Sequence, residues 1–165
     1  MRLLPIWLHV VGVAVWIGGL TWQSHVMVPL ARAGDARIFA AAARRGRPVT
    51  WTAVALVVLT GFYNVTQLGD LARVMETGAG LALVGKFILV LIAVALSAQR
   101  DFAHVTRLTH ATAIASPASG ATATAASVAA EEAASALRTI VRLDRGVLLL
   151  ALAIIYLGLF VSRGH

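Results

Sequence analysis

Cysteine is absent from this chain, which excludes disulfides, thiolate metal sites and thiol nucleophiles. Methionine occurs only three times, once as Met1, so a Met-rich ladder for soft metals is excluded as well. Lysine occurs once, at Lys86, among fourteen basic residues, and acidic residues number seven. None of the acidic residues falls inside an apolar run, which removes paired-carboxylate hydrolysis and a carboxylate proton relay. No Walker-type glycine loop and no Ser/His/Asp spacing is present. Charged residues are scarce too, at 13%, where a soluble domain carries about 25%. With 59% apolar residues and a mean hydropathy of +0.85, an ordinary water-soluble globule is ruled out.

What is present is a set of long apolar runs. A spanning helix needs roughly 20 mostly apolar residues to cross a hydrocarbon core of about 30 Å. Four stretches qualify, at approximately 3–30, 49–68, 78–98 and 138–161. The last combines the apolar run Gly146–Val161 with an Arg-rich extension upstream. The expected fold is therefore all-α: one integral membrane four-helix bundle over residues 1–165, with short loops. Met1–Ala33 is too long an apolar stretch for a secretory signal, and an uncleaved first span is expected. Residues 111–128, rich in Ala, Ser and Thr, read as a flexible cytoplasmic linker before the last helix.

Arginines in short loops set the orientation. The first loop holds Arg32, Arg37, Arg44, Arg45 and Arg47, and the third holds Arg100, Arg107, Arg138, Arg142 and Arg145. The second loop has only Arg73. Loops one and three are thus expected in the cytoplasm, with both termini outside, as in a multi-pass protein of a bacterial-type inner membrane. The basic balance is then a topology signal, and nucleic acid is not an expected partner. The lipid bilayer is.

An ionisable group inside a span is costly and marks a functional hypothesis. His9 in the first span and Lys86 in the third are the clear cases. His9 lies roughly 9 Å past the outer start of its span and Lys86 roughly 12 Å past its own. The two depths agree, so the pair is expected to line one pocket in the outer half of the bundle. His9, Trp16 and Gln23 are seven apart, with Gly12 and Gly19 on the same helical stripe. Trp16 sits near mid-membrane, where its indole N–H needs a partner inside the bundle. Thr60-Gly61-Phe62-Tyr63-Asn64 brings polarity to the same outer level in the second span, with Tyr63 and Asn64 expected in the pocket. His25 lies near the opposite face, roughly 24 Å from His9 along the axis, so the two cannot share a metal. His104 and His110 read as surface histidines.

Trp7-Leu8-His9 followed by Val15-Trp16-Ile17-Gly18-Gly19 resembles the opening of the copper resistance protein D (CopD) family. Arg47-Pro48, Thr60 through Asn64, Gly85-Lys86 and the Arg138–Arg145 approach to the last span continue the likeness. The resemblance implies a role in copper uptake or tolerance, with copper held chiefly by His9, beside a periplasmic copper-binding partner. The layout is also similar to that of HemJ-type protoporphyrinogen oxidases. There a first-span histidine and a third-span lysine, matched here by His9 and Lys86, are tied to haem b. That likeness implies His9 as an axial ligand and Lys86 beside a propionate or substrate carboxylate. A third expectation is a non-catalytic accessory subunit, whose polar stripe packs against a larger membrane complex.

Overall fold

The apolar runs fold as helices, and most of these continue well past the runs that nucleate them. The computed structural model describes residues 3–67 and 78–163. Helix α1 spans Leu3–Gly34, α2 Ala36–Thr66, α3 Gly80–Ile114 and α4 Ala123–Arg163. A short 3-10 turn, Pro117–Ser119, joins the last two. No strand occurs among the described residues. Helices α1 to α3 are long and apolar enough to cross a membrane, and α4 is apolar from Gly146 onward. The second connection with Arg73, and Arg2 and His165 at the ends, lie outside the described residues.

The connections are shorter than the sequence reading has them. Residues 36–48, expected within the first loop, form the opening turns of α2. Alanine is the strongest helix former, and Phe39, Ala40 and Ala43 are buried in one cluster with Val105, Leu108 and Ile140. Gly34 alone breaks the rod between α1 and α2, at φ 125°, a region that side chains with a Cβ avoid. Residues 99–114 continue α3 instead of forming a loop. Much of the Ala/Ser/Thr stretch expected as linker is helical too. Ala111 is buried at the end of α3 and Ala129 on α4, which leaves 115–122 as the joint. Low complexity made of alanine is helical composition once a neighbouring helix offers it a face.

A 35-residue helix such as α3 is about 52 Å long and overshoots a hydrocarbon core of about 30 Å. The overshoot lies at one end, where α2, α3 and α4 bury the cluster around Phe39, Leu108 and Ile140. We call this the inner end. A second buried cluster, centred on Trp16, Val57, Ala93 and Val147, fills the middle of the bundle. Around it the outward faces are apolar: Leu59 is 70% exposed, Leu81 77%, Leu91 66% and Leu149 68%.

Helix α1 packs along α2, and α3 along α4, while α1 touches the second pair mainly through α4. Gly12 permits the first contact, since a Cβ there would lie 2.9 Å from Val57 Cγ2 and 3.2 Å from the Ala53 carbonyl. Between the two pairs a seam runs through the outer half of the bundle. At the inner end α2 and α3 close it.

Candidate functional site

His9 stands on the α1 face that meets α2. Its Nδ1 lies 3.1 Å from the Val57 carbonyl and 3.0 Å from Thr60 Oγ1. A carbonyl only accepts, and the Thr60 hydroxyl already donates to the Leu56 carbonyl at 2.5 Å. The proton therefore sits on Nδ1 and is shared between the two oxygens. This leaves Nε2 as the basic nitrogen, with no hydrogen bond among the described residues. A ligating histidine is characteristically fixed this way, with one ring N–H on a carbonyl and the other nitrogen presented to a metal.

Gly61 completes the seat. A Cβ at position 61 would come within 3.3 Å of His9 Cε1, so the imidazole packs close against this glycine. Lys86 is half-buried on α3, and its Nζ lies 3.5 Å from where a Cβ of Gly158 would sit on α4. His9 and Lys86 are thus each backed by a glycine of a neighbouring helix, Gly61 of α2 and Gly158 of α4.

The other residues expected in the pocket separate. Trp16 is buried, 4% exposed, about 10 Å inward of His9 at helical rise. The acceptor expected for its indole N–H is missing among the described residues. Its neighbours in the mid-bundle cluster are apolar, so the ring contributes packing area where a hydrogen bond was expected. Tyr63 is 46% exposed on the outer surface of α2, and Asn64 is half-buried one turn beyond Thr60. Neither makes a side-chain hydrogen bond among the described residues. His25 is exposed, and its Nδ1–H donates to the Thr21 carbonyl at 3.0 Å within its own helix. No group of three His, Cys, Asp or Glu is placed to hold a metal ion among the described residues.

A second polar centre lies between the mid-bundle and inner-end clusters, where the sequence reading has only loop arginines. Arg100 and Asp101 are each 3% exposed and Asp144 is fully buried. Arg100 pairs with Asp101 at 2.5 Å and with Asp144 at 2.7 Å, and also donates to Gln23 Oε1. Ser24 donates to Asp144 at 3.2 Å, Trp51 Nε1 to Asp101 at 3.1 Å, and Arg47 to the Asp101 carbonyl. All four helices contribute. Arg47 and Arg100 are therefore tied into the bundle rather than free in a loop.

Two adjacent residues of an α-helix point about 100° apart, so Arg100 and Asp101 should not both face inward. They do because Gln99–His104 is a π-helical turn, whose wider register adds a residue to the inward face. Gln23 and Ser24 open a second π-helical turn, Gln23–Met27, just before Pro29. These two π-helical turns coincide with the ionic centre, whereas a third, Ala31–Asp35, lies at the corner between α1 and α2. Sequence signals for it exist: the Arg100-Asp101 dipeptide closing an apolar run, and Asp144 in register with buried Val147 and Ala151.

Comparison with known proteins finds no matching family model, no matching curated protein and no matching solved structure.

Proposed function

We propose that this chain is a four-helix membrane protein that holds a haem b-like metalloporphyrin in its outer half, with His9 as axial ligand. The observation that carries the reading is the His9 ring, oriented by Val57 and Thr60 with Nε2 left to bind. Membrane residence is supported by the exposed leucines around the bundle, which water would disfavour by roughly 2 kcal/mol each. The arginines of the inner end support a cytoplasmic position for that end, hence outside termini.

The donor set favours one of the cofactors that the family likenesses suggest. A copper ion bound here would find one imidazole and, among the described residues, no second His, Cys or carboxylate beside it. That does not fit a protein-built copper site, which needs several ligands. A porphyrin brings four nitrogens of its own and asks the protein for one axial group and a cation for its carboxylates. His9 and Lys86 fit that demand.

When bound, such a group would supply one-electron redox chemistry. The chain's own contributions are narrower. Val57 and Thr60 fix the imidazole tautomer and the orientation of the ring. Gly61 and Gly158 hold back side-chain bulk where the ring and the lysine stem lie. Lys86 offers an ammonium that a carboxylate would neutralise in a low-dielectric setting. The purified protein, supplemented with haemin during expression, should show a Soret band at one haem per chain. Stoichiometric copper without a Soret band would favour copper handling. Neither cofactor would favour the accessory-subunit role.

A further inference from the structure

At the inner end the corner between α1 and α2, the end of α3 with the 3-10 turn after it, and residues 130–138 of α4 line a cleft of about 660 Å³, within the size range of small-molecule sites. Arg32, Arg37 and Arg138 line it, together with the Ser116 hydroxyl, which lies 3.5 Å from the Arg37 guanidinium. Its floor is apolar: Ala31 and Leu137 line it and are nearly fully buried. On the adjoining turn of α4, Glu132 is engaged outside the cleft by Arg107 at 2.6 Å.

Three guanidinium groups around one concavity repel one another, and an anion relieves that repulsion. The guanidinium fork matches the oxygens of a phosphate group bidentately. From these groups we propose that the cleft is a phosphate-binding site. It takes the phosphate of a small ester or of a lipid headgroup, with a short apolar portion on the alanine and leucine floor. Arg32 lies nine residues beyond Gln23, so the site sits about 13 Å inward of the ionic centre. That depth favours a soluble ester. The proposal is independent of the His9 site, whose cofactor enters neither the argument nor the test.

The test uses the full chain in phosphatidylcholine nanodiscs, titrated with inorganic pyrophosphate at low salt and followed by calorimetry. Saturable binding at one site is expected, weakened about tenfold by Arg37→Gln and by Arg138→Gln, as befits loss of one charge-assisted contact. Ala130→Leu alters an exposed lining residue, leaves the charge unchanged and narrows the cleft, so it should weaken binding too. That variant keeps the test alive if an arginine variant fails to fold. Arg107→Gln, outside the cleft, should bind as the parent does. If pyrophosphate is silent but native mass spectrometry retains one phosphatidic acid per chain, lost in the arginine variants, the phosphate comes from lipid. Absence of both, equal binding in the cleft variants, or equal loss in Arg107→Gln would overturn the proposal.

Discussion

Replacing Asp144 by alanine removes the carboxylate that ties α4 to α1 and α3. In the folded protein Asp144 is fully buried, forms an ion pair with Arg100 Nε at 2.7 Å and takes a hydrogen bond from Ser24 at 3.2 Å. Breaking a buried pair by removing one partner costs about 3–5 kcal/mol, because the remaining charge stays buried. Here Arg100 keeps Asp101 at 2.5 Å and Gln23, so the low end, about 3 kcal/mol, is expected. For a chain of this length that corresponds to a fall in Tm of about 6–12 °C. Asp144→Asn keeps an acceptor for Arg100 and should lose less, about 1.5–3 kcal/mol. Ser24→Ala removes one neutral donor and should lose about 1 kcal/mol. Thermal unfolding of the three variants in one detergent, followed by circular dichroism, gives the order directly. An Asp144→Ala protein that melts with the parent would refute the reasoning, since the network would then contribute no cohesion.

Three further outcomes follow from the site and the topology. Gly61→Ala places a methyl about 3.3 Å from His9 Cε1 and should lower cofactor content while leaving membrane insertion intact, read as the Soret-to-protein absorbance ratio. Lys86→Met keeps the apolar stem and removes the charge, so it should weaken retention of a carboxylate-bearing porphyrin more than that of its dimethyl ester. Equal loss for both would remove the carboxylate from the account. A C-terminal reporter active only in the cytoplasm should stay silent, and strong signal there would reverse the orientation.

Much of the architecture was legible in the sequence, for a reason that separates what was found from what was not. Apolar runs and arginine placement depend on composition over twenty residues, which single-residue geometry hardly disturbs. His9 and Lys86 were legible because each is an ionisable residue in an apolar run. The seat of His9 was harder to see. Thr60 and Gly61 act through the helix-to-helix contact that Gly12 allows, and that contact exists only in three dimensions. Tyr63 and Asn64 follow in the same short segment, yet helical phase turns Tyr63 to the outside and leaves Asn64 half-buried beyond Thr60. The inner ionic centre escaped for a different reason. A loop was assumed where the apolar run ended, and constant helical phase would have pointed Arg100 and Asp101 apart. The π-helical turn at Gln99–His104 breaks that phase.

Exchange of the His9 ring for free imidazole tests the central claim most directly. In His9→Gly protein, prepared at the parent's membrane level, the account predicts loss of the Soret band and its return when imidazole is added with haemin. The ligand would then again be a single imidazole nitrogen, now untethered from Val57 and Thr60. A His9→Gly protein that keeps the parent's spectrum without imidazole would contradict the account.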